Sequence, residues 1–465
     1  IKLRTQYGLR RFAEWAIIAY LVVALAGLTI SDLRSALVMQ FLAGMASAPL
    51  SSLAFMYMLQ PLSPKWKMRL GLPVVMATVA LGPSVARVIS PALMADSGWT
   101  ALHTMTLGMA AVSLGLVYWL PLTSPPRQKV IAGLDLVSWL LIAIGFGGLT
   151  AVFTMGAIYW WTEIPWLGWT LAASIAALTL AAMIELNRKA PLLDVRWLAS
   201  PAILHLTVTL LVFRLILSEQ SSGAPRMFQV LGVTQDQLVT IFAVISAGTV
   251  LGALALIPFM TPKRVPLFHV IALALVAVGA WLDSHSTIDT RPAQMMLSQG
   301  MIAFAGTLFL APAMMQGLMS ALARGPNYIL SFIIVFLSTQ SLGGVMGSGL
   351  FLTFINHRQA LHLQLMREEL TTADPVVMQA IGQRVAALTS QIVDPVARQA
   401  QAVAMIAQDA TNQAYVMAYN DAYQLTALVA AFAFCVLVLH MFRDWLAARL
   451  SPAAPAPATD PSNPA

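Results

Sequence analysis

The chain has 465 residues, 59% of them apolar and only 10% charged, with a formal net charge of +7 and a mean hydropathy of +0.78. A soluble domain carries about 25% charged residues, and a water-soluble fold of this length could not bury so much apolar side chain. Disordered, collagen, coiled-coil and disulfide-scaffold classes are excluded at the same step, which leaves an all-α polytopic membrane protein.

Roughly 20 apolar residues cross a bilayer as a helix. Twelve such segments are predicted: 12–31, 35–60, 70–95, 102–121, 134–154, 166–185, 201–219, 238–260, 265–282, 294–320, 328–354 and 423–442. Turn residues join them, as in Pro61-Leu62-Ser63-Pro64, Ser124-Pro125-Pro126 and Arg324-Gly325-Pro326-Asn327. Most Lys and Arg fall on the side of residue 1. The opposite side holds Arg34, Arg226, Arg291 and, in one long loop, Arg358, Arg367, Arg384 and Arg398. The positive-inside rule then predicts both chain ends in the cytoplasm, with Tyr159, Trp160, Trp161, Trp166 and Trp169 as an outer aromatic belt. The Pro/Ala-rich stretch 451–465 is predicted to be disordered. Cys435 is the only cysteine, so no internal disulfide can form.

Charges inside spans are costly and are functional candidates by default. In the third span, Gly82 and Pro83 are expected to kink the helix, Pro91 repeats the effect, and Arg87 lies between them as a positive charge for an anionic or zwitterionic substrate or a carboxylate. The plainer alternative for Arg87 is a structural salt bridge. In the seventh span, Thr207, Leu211, Arg214 and Ser218 share one face, and Arg214 is read as facing a cavity in preference to snorkelling. Glu219 and Gln220 follow at the end of that helix, Glu219 being either a titrating transport residue or a solvated loop acid. Gly343 and Gly347 have the small-xxx-small spacing of close helix packing, and Gln40, Gln299, Gln316 and Gln340 serve either substrate or helix contacts. Glu14, Asp135 and Glu185 are read as helix-end or loop acids.

The connection 355–422 is far longer than any other. Asp374-Pro375-Val376 and Asp394-Pro395-Val396 are matching helix starts, with Asp as cap and Pro in the first turn. From Val396 to Leu450 there is no Pro or Gly, so one helix is expected to run from this outer region through the last span. The region is read as an amphipathic helix on the membrane surface or, more sharply, as a helical hairpin that gates the exit or docks a periplasmic adaptor protein.

Four stretches resemble the fourteen-helix drug:proton antiporter branch of the major facilitator superfamily. They are Leu81-Gly82-Pro83 within Gly71–Pro91, Leu134-Asp135-Leu136, Glu185-Leu186-Asn187-Arg188 with Pro191-Leu192-Leu193-Asp194, and Ala418-Tyr419-Asn420-Asp421-Ala422-Tyr423. Leu3, Gly8 and Arg10 are similar to the end of the superfamily's loop motif, with Thr5 in place of its usual Asp. Ala86-Arg87 stands where the antiporter motif has its second Gly-Pro. The resemblance implies a major facilitator fold with twelve of fourteen helices present and two expected upstream. It implies an N-terminal bundle over 1–121, two linker helices within 122–200 and a C-terminal bundle over 201–450. The function implied is export of small amphipathic compounds or drugs across the inner membrane by proton antiport, with no cofactor, metal or nucleic acid. Export of one metabolite, an organic acid or siderophore, is the alternative; a membrane sensor or scaffold is the alternative of another class. No Walker-type loop, Ser/His/Asp set or His-Glu-x-x-His motif occurs, and an enzyme is not expected.

Overall fold

The computed structural model describes residues 2–59, 61–120, 130–189, 191–369 and 374–450. The expected disordered tail and the Ser124-Pro125-Pro126 turn lie outside the described residues. Every regular element among the described residues is helical. Twelve helices are long and apolar enough to cross a membrane: α1 Leu9–Thr29, α2 Leu33–Phe55, α3 Lys67–Ala95, α4 Ser97–Trp119, α5 Gly133–Tyr159, α6 Pro165–Leu186, α7 Pro201–Val230, α8 Val239–Leu256, α9 Pro262–Asp283, α10 Pro292–Arg324, α11 Ser331–Glu369 and α12 Pro395–Ala447. Proline opens α6, α7, α9, α10 and α12, where its missing N–H is one that no helix would use.

Large apolar side chains such as Phe41, Trp169, Leu251 and Phe432 point outward. That is costly in water and natural in hydrocarbon, so the pattern is that of a multi-pass membrane protein. α10 is the exception, with 78% of its most apolar window buried. It packs against α8, α9, α7 and α11 and forms the axis of the second half. Around it, Phe213, Phe309, Met314 and Phe336 join one apolar core, which also takes in Val75 and Met76 of α3. A smaller core of Leu9, Ala13, Ile17, Leu53 and Val117 holds α1, α2 and α4 together.

α3 and α4 follow each other almost without a loop, separated by a sharp kink. The backbone stays helical through Pro83 and Pro91, and the interruption falls at Gly98 (φ 56°, ψ −141°), a conformation that a side chain would strain. The expected kink at Gly82-Pro83 thus leaves the helix uninterrupted, while the turn toward α4 is made by glycine.

α5 and α6 pack on each other, and α5 also lies along α11. Trp161 Nε1 donates to Thr353 Oγ1 at 2.9 Å, and Asn356 Nδ2 donates to the Ala157 carbonyl at 3.1 Å. Asp135 and Glu185 lie at helix ends, as expected, and both are buried there. They are 6% and 3% exposed. Arg188 bridges them, Nη2 to Asp135 at 2.6 Å and Nη1 to Glu185 at 2.8 Å, and Lys2 Nζ reaches Asp135 at 2.7 Å. Ser138 and the Leu192 amide donate to Glu185 as well. Burial works against the charge on Arg188, but the hydrogen bonds and attraction of Glu185 and Asp135 outweigh it and hold its pKa above the usual arginine value.

Two helices continue well past their apolar segments. One runs Pro326–Glu369 and the other Pro395–Leu450. Between them lies the short helix Pro375–Ala387, capped where Asp374 accepts from the Val376 amide. It packs on the N-terminal part of α12, with an Arg384–Asp409 ion pair between the two. At the root of this projection, Asp421 of α12 accepts from Arg358 Nε at 2.6 Å, and His362 Nε2 lies 2.7 Å from the same oxygen.

Candidate functional site

Two features meet on α7: a cavity on one side and a pair of buried acids on the other. α7 is not a continuous α-helix. Its first part ends at Ile216, Glu219–Gly223 winds as a π-helical turn, and α-helix resumes at Ala224. π-Turns are rare and occur frequently at functional sites, because the extra residue rotates neighbouring side chains onto new faces. The run Ser221-Ser222-Gly223 gives the local reason, since these residues hold α-helix weakly. Gly223 is also required sterically, as a Cβ there would lie 2.7 Å from the ring of Tyr423 on α12.

On the inner side of the turn stands the acid pair. Glu219 is 0% exposed, Asp283 at the end of α9 is 2% exposed, and Gln299 of α10 is 0% exposed. The Gln299 amide donates to Glu219 Oε1 and to Asp283 Oδ2, both at 2.8 Å. Ser298 Oγ donates to the other Asp283 oxygen. Glu219 Oε2 and Gln299 Oε1 are buried with no partner among the described residues. No lysine, arginine or histidine among the described residues forms an ion pair with either carboxyl. Desolvating a carboxylate costs several kcal/mol per ion as an order of magnitude, and one amide shared between two acids does not offset that.

On the other side of the turn, a cavity of about 210 Å³ lies between α3, α7, α8, α10 and α11. Pro83, Arg87, Arg214 and Gln220 line it, together with Phe242, Leu310 and Gln340. The Arg87 guanidinium stacks over the Phe242 ring at 4.8 Å. Arg214 Nε donates to the Gln340 carbonyl at 3.3 Å. Gln220 Nε2 donates to the Gln299 carbonyl at 3.1 Å, so the residue beside the acid Glu219 reaches from the cavity to the backbone of the acids' shared donor. Beside the cavity, α3 and α8 are joined by a hydrogen bond from Ser246 Oγ to Ser84 Oγ, 3.0 Å long.

The structure thus gathers Pro83, Arg87, Arg214 and Gln220 at one cavity, and sets Glu219 just behind it. Ser218 does not belong with them. It is 2% exposed, its hydroxyl donates to the Arg214 carbonyl at 3.3 Å, and it lies against Gly347. The polar face of α7 is therefore not an open stripe. Gly343 lies on Leu211 and the Arg214 stem, and Gly347 lies on Ser218, because α11 lacks side chains there and approaches closely. Arg214 still lines the cavity, its guanidinium lying along Gly344. Gly82 faces open space, and Pro91 lies outside the cavity lining. Gln40 and Gln316 are exposed on the bundle surface.

Asp283 and the pairing role of Gln299 were missed in the sequence. The span 265–282 was drawn one residue short of Asp283, as a terminal acid reads as a loop residue. The available signal was Ser298-Gln299 at the start of the next apolar run, a polar pair that turns back toward the end of α9. No protein-family model matches the chain, and no curated protein is detectably similar to it.

Proposed function

We propose that the chain is a secondary transporter that exports small amphipathic compounds in exchange for protons, with the major facilitator architecture. The observation that carries this reading is the Glu219–Asp283 pair, buried with no cationic side chain among the described residues paired to it, behind a π-turn whose opposite side lines a cavity. A proton is the cation we assign to the pair, since it binds a carboxyl oxygen directly and needs no further ligands. Binding it relieves the repulsion between two carboxyls, and losing it restores that repulsion. Both states act on the same turn of α7, and Gln220 carries the change to the cavity. Alternating access then amounts to α3 moving against α8 around the cavity, the contact now held by Ser84 and Ser246. The four stretches that resemble drug:proton antiporters support the same reading.

The test is flux. The full chain is reconstituted in vesicles, a pH gradient is imposed, and uptake of a panel of amphipathic compounds is followed. Gradient-dependent flux that Glu219→Gln and Asp283→Asn each abolish is the expected result. Flux that is indifferent to the gradient would remove the proton from the mechanism, and no flux for any compound would remove transport.

A further inference from the structure

We propose that the cavity between α3 and α7 binds an amphipathic organic anion, an oxyanion such as a carboxylate or sulfonate on an apolar body. The inference deepens the transporter reading and rests on it. It begins from charge. Two guanidinium groups, those of Arg87 and Arg214, line one small cavity, and no aspartate or glutamate is among its lining residues. Neither arginine forms an ion pair among the described residues. The contacts they do make leave donors over. Arg214 gives Nε to a backbone carbonyl, and Arg87 lies on an aromatic face. A guanidinium has five N–H donors in a planar fork and is always charged, so both side chains keep donors for oxygen.

Gln340 Nε2 is buried with no partner among the described residues, in a residue that lines this cavity. That nitrogen is enclosed and offers no surface to the cavity, so the two guanidinium groups are the charged donors a ligand meets. Much of the rest of the wall is apolar, with Met76, Val79, Phe242, Ile245, Leu310 and Phe336, and its other polar side chains are neutral hydroxyls and amides. Cationic groups at one cavity with an apolar lining select a ligand with one anionic head and an apolar remainder. A cation of the same shape would meet two like charges in a medium where water screens them poorly.

The acid pair explains why the carboxyls are not the counter-charges of these arginines. Glu219 and Asp283 bond to Gln299 on the far side of the π-turn, so the positive and negative groups of the site face separate compartments. The arginines are left for the ligand and the carboxyls for the proton.

The experiment uses two probes with the same ring and opposite charge, naphthalene-2-sulfonate and trimethyl(2-naphthyl)ammonium. The full chain is placed in phosphatidylcholine nanodiscs at pH 7 with no gradient, and binding is measured by equilibrium dialysis against empty discs. The expected result is saturable binding of the sulfonate, about tenfold or more tighter than the ammonium probe, as a charge-assisted hydrogen bond allows. Arg87→Gln and Arg214→Gln should each weaken the sulfonate by about tenfold or more, and the Lys variants should retain part of it. Equal binding of the two probes, no binding of the sulfonate, or Gln variants with unchanged affinity would overturn the proposal. The comparison of probes on the unaltered chain needs no variant to fold. Binding without a gradient is also separate from coupled flux. Equal binding with intact proton-driven flux sinks the anion alone, and anion-selective binding without flux sinks the transporter reading.

Discussion

Glu219 and Asp283 accept from one and the same amide nitrogen, that of Gln299. Two acids from helices far apart in sequence are thereby held side by side inside the bundle, with a neutral group as their common contact. Substituting Gln299→Leu removes the donor to both and leaves the carboxyls facing apolar surface. The expected cost is about 1–3 kcal/mol for each group left unsatisfied, read as a lower midpoint in thermal unfolding of the detergent-solubilised chain. A midpoint unchanged from the parent would show that the amide is not what supports the pair.

Arg188 supplies the opposite arrangement, a cation between two acids. Arg188→Gln leaves Glu185 without an ionic partner, while Lys2 still reaches Asp135. The expected destabilisation is about 3 kcal/mol, the low end for breaking a buried pair. Because Glu185 and Asp135 hold the Arg188 pKa above its ordinary value, its contribution is complete below that value and is lost only as pH rises through the raised one. The unfolding midpoint of the parent should therefore show no arginine-linked loss between pH 7 and about pH 10. A loss there that the Gln variant lacks would contradict the assignment.

Two glycines should respond in opposite ways to alanine. A Cβ at Gly347 would overlap the Ser218 hydroxyl, whereas one at Gly82 meets nothing within 4 Å. Gly347→Ala should cost about 1–3 kcal/mol by forcing α11 away from α7. Gly82→Ala should be neutral or stabilise by about 0.5–1 kcal/mol, since its backbone is helical. Equal effects of the two in unfolding experiments would refute the close approach of α11 to α7.

The Ser84–Ser246 contact offers a lock. Cys435 is the only native cysteine and is exposed, so it is first replaced by serine. Ser84→Cys with Ser246→Cys, oxidised or bridged by a short bifunctional thiol reagent, should stop transport, and reduction of the disulfide should restore it. Transport undiminished by a complete cross-link would mean that α3 and α8 need not separate.

How much of this was legible in the sequence depends on range. The twelve apolar helices could be read directly, because each signal is contained in some 20 neighbouring residues. The same holds for the helix start at Asp374, where cap and proline are adjacent. Arg87 and Arg214 could be picked out as intramembrane charges, yet their meeting at one cavity could not, because it depends on how α3 and α7 are packed. Ser218 was misjudged for a related reason. Its helical face was right, but Gly347 on a helix more than a hundred residues away covers it. Asp283 was lost at a boundary, where one residue separates a loop acid from a buried one.

The helix that ends the described chain is a mechanical element. Pro395–Leu450 is unbroken over 56 residues, which at 1.5 Å per residue is a rod of about 84 Å. The hydrocarbon core of a bilayer is about 30 Å thick. The N-terminal arm of this helix, braced by Pro375–Ala387 and anchored at Asp421, is therefore a lever continuous with the last span. A tilt of about 10° in that span would sweep a tip about 40 Å away through about 7 Å. If the bundle rocks as proposed, a tilt too small to see within it would be magnified at its edge, where a probe on the arm would register it as a change in distance.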